Sequence, residues 1–342
     1  MTVVAHFRQQ ADQCRALGSP FTAALLDLAA DSIGAGADWA VPLRDWRGDP
    51  RADALALRLA GALHRAMLDG DAELTSCYAA RQIDAARLDA ALLRHAELLR
   101  RYLQSAPQTN DPQRSAILLG GFLQIAQQVG PLPLDICEIG ASAGLNQSWF
   151  RYAYDFGHWR WGDEAQAPLT LRATWNGAHP PGSLPEVRNS VACDLAPIDA
   201  RNPEDRQRLL SYIWADQPER LERVRHALDF AAREAIGVTR AAAADFVARA
   251  LQRRKPGAAF VLCHSIVWQY IEPAEQRRIA GLMQAAGDTA TPQAPLAWLR
   301  FESGAAQDGG ELTLTLWPGG IPQPLAVADY HGRWIRWQPR PD

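Results

Sequence analysis

Between Leu134 and Trp149 the chain reads LDICEIGASAGLNQSW. An apolar run carries the acid Glu138, and Gly140-Ala141-Ser142-Ala143-Gly144 follows it. Two chemistries use residues of these types at this spacing. As G-x-S-x-G, the run can be a nucleophile elbow in which Ser142 attacks an acyl carbon. As a turn of small residues between a strand and a helix, it lets backbone approach a nucleotide-like ligand. The helix start then offers N–H groups to a carboxylate, and Glu138 offers an acceptor to an ammonium group. Gly140, Ser142, Gly144 and Asn146 would line that turn. The dinucleotide fingerprint G-x-G-x-x-G is not met, because Ser142 stands where its second glycine belongs, and NAD and FAD are disfavoured.

The surrounding elements discriminate between the two. Up to about residue 105 the chain reads as helices. Phe7, Ala11, Cys14 and Leu17 step by three or four, and Gly18 and Pro20 stop that helix. PFTAALLDLAADSI and DALALRLAGALHRAML follow, then LDAALLRHAELLRRYL as one helix. His64 and His95 fall on these helices, without carboxylate or cysteine at ligand spacing, and read as packing residues. The polar stretch SAPQTNDPQR marks a boundary, giving a helical part over 1–113 and an α/β part over 114–342. In the second part LDICEIG is a strand and LNQSWFRYAY a helix. An aromatic, Gly/Pro-rich insert spans about 157–187, and VRNSVACD is a strand. Further strand–helix alternation follows, closed by GELTLTLWPGG and PLAVADYHGRWIRW as a two-stranded hairpin. This grammar predicts a mainly parallel sheet with an antiparallel edge.

A nucleophile elbow lies deep in an established sheet, after the strand that feeds its oxyanion loop. Ser142 instead follows the first strand of its domain. The order Ser142, then Asp194 or Asp245, then His264 or His331 keeps a serine acyl-hydrolase as one alternative, and a non-catalytic binding protein is the other. Ligand binding is the preferred reading.

The formal net charge of −3 shows no basic footprint, and the twelve tryptophans do not alternate with Lys or Arg, so a nucleic-acid partner is not expected. No apolar run approaches the ~18 residues of a membrane span. The start MTVVAHFRQQADQCRALG holds no apolar signal core, and the expected compartment is the cytoplasm. Five cysteines at irregular spacing read as buried, unpaired thiols. No metal site is predicted.

The segment Glu138–Gly144 resembles the first motif of class I S-adenosylmethionine-dependent methyltransferases. The resemblance runs over about 114–342 and implies a Rossmann-like, mainly parallel sheet with a C-terminal antiparallel hairpin, here preceded by an all-α domain. It also implies S-adenosylmethionine as cofactor and a small-molecule acceptor. Carried onto this chain, the ribose acid is Asp194 in SVACDLAPID, with Asp155 as the alternative, and Asp245 in AAAADF lies near the adenine. FVLCHS sets His264 and Ser265 beside the transferring methyl group, with His264 as the candidate general base. Trp149, Tyr152, Trp268 and Tyr270 join Ser265 as candidate pocket residues. Over nearly its full length the chain also resembles a bacterial domain-of-unknown-function family, through FRQQADQCRALGSPF, EIGASAGLN and HSIVWQY.

Overall fold

A computed structural model of the chain describes residues 1–180, 185–306 and 308–338. It divides into two compact units, one of Met1–Thr109 with Arg201–Arg225, the other of Asn110–Ala200 with His226–Asp342.

The first unit is helical. In Val3–Ala16 the stripe Phe7, Ala11 and Cys14 is fully buried, which is why that spacing forms a helix here. Pro20–Ala35 and Leu55–Leu68 follow as expected. The single helix expected over 88–103 is two, Ala85–Arg94 and Ala96–Leu103. His95 leaves helical geometry between them and bonds Asp71 through Nε2 at 2.7 Å. Segment 201–225, expected in the α/β part, belongs to this unit. Its Tyr212 ring lies against Gly61, where an added Cβ would sit 2.7 Å from ring carbons. The Tyr102 hydroxyl meets Ser211 Oγ at 2.8 Å, and Arg65 pairs with Glu204. Tyr212 and Trp214 complete the core, so burial overrode chain order.

The second unit is α/β. Its strands are β1 (Leu134–Ile139), β2 (Ala153–Asp155), β3 (Arg160–Trp161), β4 (Thr170–Arg172), β5 (Thr174–Asn176) and β6 (Val187–Asp194). They continue with β7 (Thr239–Arg240), β8 (Ala259–Ser265), β9 (Leu296–Ser303), β10 (Gly310–Trp317), β11 (Ile321–Ala328) and β12 (Trp334–Trp337). Among the described residues, nine strands form one sheet in the order β5-β12-β11-β10-β9-β8-β1-β6-β7. From β7 to β9 every pairing is parallel. The antiparallel part exceeds the expected hairpin: β9 to β12 form a meander, and β5 pairs parallel with β12. PLAVADYHGRWIRW is two strands rather than one. Asp329 turns the chain between them by accepting the N–H groups of His331 and Arg333.

The central strands are buried on both faces, as a parallel sheet requires. Ala243–Gln252 and Pro273–Gly287 contribute Val247, Ile279 and Met283 to the core with Cys137, Leu262 and Trp298. Ser115–Val129 packs closely through Gly120, against Trp175 and Trp337, and through Gly121, against Leu299. All five cysteines are buried and unpaired. Burial pushes the Cys193 thiol up to about 12.

LNQSWFRYAY is not an α-helix. Leu145–Arg151 is a 3₁₀ turn, and β2 follows. The hydroxyls of Tyr152 and Tyr154 donate to the carbonyls of Leu145 and Trp149, each at 2.7 Å. Those carbonyls would otherwise accept the bonds of an α-helix. The 157–187 insert supplies β3, β4 and β5, and its residues 181–184 lie outside the described residues. No helix among the described residues is long and apolar enough to cross a membrane.

Candidate functional site at the carboxyl ends of β1 and β8

The chain runs β1, β6, β7 outward on one side of β1, then returns to lay β8 on the other side. Strand order reverses at the β1–β8 seam, and open α/β sheets bind ligands beyond the carboxyl ends of such a seam. In register, Glu138 faces Cys263 across it.

Glu138 is 4% exposed, and no hydrogen bond or ion pair holds its carboxyl among the described residues. Burial pushes its pKa up to about 8; Asp194 nearby adds to the rise, and the Arg114 cation opposes it. A carboxyl so placed is costly unless a partner arrives.

The turn after β1 stores strain. Ser142 has φ +53°, and Gly140 and Gly144 have φ +66° and +70°. A Cβ on Gly140 would lie 2.2 Å from Val267 Cγ2, so only glycine fits. Across the seam Ile266, directly after β8, has φ +52°. Positive φ at a β-branched residue is a genuine outlier, and such outliers gather at functional sites.

The expected donors of the turn are mostly engaged. Ala141 N–H donates to Cys193 O, Ser142 N–H to Asp194 Oδ2, Gly144 N–H to Ala141 O and Leu145 N–H to Asn110 Oδ1. Two side-chain donors are left instead. Ser142 Oγ and Asn146 Nδ2 are buried without a partner among the described residues, while Asn146 Oδ1 accepts from Ser115 Oγ at 2.8 Å. One unpaired acceptor, Glu138, and two unpaired donors therefore border one turn.

Asp194 stands at the end of β6, and its carboxylate clamps the turn, accepting Ser142 N–H at 2.9 Å and Ala196 N–H at 2.8 Å. Asp155, on β2 of a separate three-stranded sheet in the order β3-β2-β4, accepts Gly157 N–H and lies near Arg160. Asp245 is not in the buried site: it lies half exposed in the first turn of Ala243–Gln252, paired with Arg278 at 2.6 Å.

His264 is fully buried at the end of β8, and both ring nitrogens are committed. Trp298 Nε1–H donates to Nε2 at 3.1 Å, and Nδ1 lies 2.6 Å from Glu302 Oε1. An indole N–H only donates, so Nε2 carries no proton and Nδ1–H donates to Glu302. The same carboxylate accepts Val267 and Trp268 N–H, fixing the segment after β8. His264 is therefore a neutral structural link rather than an available base. Neither ring nitrogen serves Ser142 Oγ, so no serine–histidine dyad forms.

Ser265 ends β8, nearly buried, and Trp268 stacks on His264 at 5.1 Å. Tyr270 is 54% exposed. Trp149 is core, stacked on Phe122 at 4.2 Å. Tyr152 is buried, and the Glu138 charge helps raise its phenol, after burial itself. Sequence reasoning missed Glu302, Trp298, Arg114 and Ser115. Glu302 was visible in LAWLRFES by the signal that marked Glu138, an acid near the end of an apolar strand.

A family model described as "Uncharacterized protein conserved in bacteria (DUF2332)" matches residues 4–337. Comparison with curated proteins and with solved structures returned no match.

Proposed function

The chain belongs to this bacterial family, DUF2332, and we propose that the β1–β8 seam binds S-adenosylmethionine in a methyltransferase acting on a small-molecule acceptor. One observation carries the reading: the unpaired buried carboxyl of Glu138 borders the same turn as the unpaired donors Ser142 Oγ and Asn146 Nδ2. That set complements an α-amino acid, ammonium to Glu138 and carboxylate to the two donors. The methionyl end of S-adenosylmethionine is such a group. The parallel order β7-β6-β1-β8-β9 supports a class I methyltransferase-type sheet; the long meander departs from it. Asp194 acts in this reading by holding the turn, not by meeting ribose.

Bound S-adenosylmethionine would supply an activated methyl group on a sulfonium. The chain's part is positioning: Glu138 and the donors orient the amino-acid end, and burial excludes water. With His264 committed, no side-chain base is assigned, and the acceptor must present a nucleophile already able to react.

Thermal unfolding and calorimetry with S-adenosylmethionine and S-adenosylhomocysteine test the proposal. Ligand at ~100 times its dissociation constant adds about 2.7 kcal/mol. The expected result is a midpoint rise of several degrees that Glu138→Ala abolishes while its own fold persists. No shift at millimolar ligand, or an equal shift in the variant, overturns it.

A further inference from the structure

We infer a second ligand site in the α/β unit, for a small zwitterion with a flat apolar body, of the kind an aromatic amino acid presents. A groove of about 600 Å³ opens between the 3₁₀ turn, β3 and the end of the helix Pro218–Arg233. Ligand pockets commonly span roughly 300–1,000 Å³. Phe150, Trp161 and Phe230 give it aromatic walls.

Its charges are arranged unusually. Arg151 Cζ lies 4.7 Å from the Phe230 centroid, and Glu234 neutralises it at 2.7 Å. Arg233 Cζ lies 6.0 Å from the same centroid, with no ion-pair partner among the described residues. Asp163 lines the groove too, and its carboxylate accepts Ala165 N–H at 3.0 Å, with no cation within ion-pair distance among the described residues. One cation and one acid thus face a single aromatic groove without neutralising each other. A carboxylate at Arg233, an ammonium at Asp163 and a ring over Phe230 and Trp161 would satisfy all of them.

Tyr152 joins this groove to the turn described above. It lines the groove while its hydroxyl donates to Leu145 O, next to Gly144. That the bound zwitterion is the methyl acceptor rests on the proposed function; that it binds does not.

Calorimetry with L-tryptophan, L-tryptophanamide and N-acetyl-L-tryptophan tests the inference without cofactor. The expected result is saturable binding of tryptophan, at least about fivefold tighter than either analogue, the amide lacking the carboxylate and the N-acetyl form the ammonium. Arg233→Gln should erase the preference over the amide, and Asp163→Asn the preference over the N-acetyl form. Both positions are exposed, and unchanged melting would show that each variant folds. Equal affinity for all three probes, no saturable binding, or a preference that survives both substitutions overturns the site. Glu138→Ala should keep tryptophan binding while losing S-adenosylmethionine, so failure of one reading is distinguishable from failure of the other.

Discussion

Glu138 makes the pH behaviour of the protein a test of its burial. Its folded pKa, about 8, lies above its ordinary 4.5. Between these values the folded state keeps a proton that the unfolded state has released, so stability falls as pH rises through that window. Glu138→Gln should flatten the profile and be the more stable form near about pH 8.5, by on the order of a few kcal/mol. Urea denaturation near about pH 5.5 and about pH 8.5 reads this, and parallel profiles for the two proteins would refute it. Ligand binding carries the opposite sign. An ammonium arriving at Glu138 favours the carboxylate, so S-adenosylmethionine should bind more tightly as pH rises toward about 8 and should release protons below it. Calorimetry in two buffers of different ionisation enthalpy measures that release. Ser142, with no base on its hydroxyl, should stay unlabelled by a fluorophosphonate.

At the scale of elements, the two segments after β1 and β8 are held by acids near the ends of neighbouring strands. Asp194 holds the first and Glu302 the second. Glu302→Ala would leave His264 Nδ1–H and the N–H groups of Val267 and Trp268 without their acceptor, costing about 2–4 kcal/mol. Chemical denaturation checks the size, and a loss below about 0.5 kcal/mol would contradict the role. Gly140→Ala forces both a left-handed φ and a collision with Val267, and should lower both stability and ligand affinity. Asp245→Asn, by contrast, removes only an exposed ion pair with Arg278. It should change stability by at most about 0.5 kcal/mol and leave cofactor affinity unaltered.

At the scale of the whole molecule, the helical unit closes over a segment that arrives late in the chain. Tyr212 and Trp214 are buried with Leu25, Leu59 and Tyr102. A fragment of residues 110–342 would carry these aromatics without the helices that cover them. It should bind a hydrophobic dye or aggregate more than the full chain does under the same conditions. A well-behaved fragment that unfolds cooperatively would show that the segment needs no such cover.

Features that depend on local pattern were legible in the order of residues. The spacing of Phe7, Ala11 and Cys14 makes a helix because one face must be buried, and the apolar run LDICEI makes a central strand because both of its faces are covered. Glu138 stood out because an acid in such a run has no water to meet. Tertiary structure alone decided what depends on partners distant in sequence. Trp298 and Glu302 reach His264 from β9, thirty-four and thirty-eight residues away, and turn a candidate base into a neutral link. Tyr152 and Tyr154 replace helix hydrogen bonds in LNQSWFRYAY, and Tyr212 crosses to another core. Periodicity records which face is apolar; which donor, acceptor or ring will meet it is fixed only when the chain has folded.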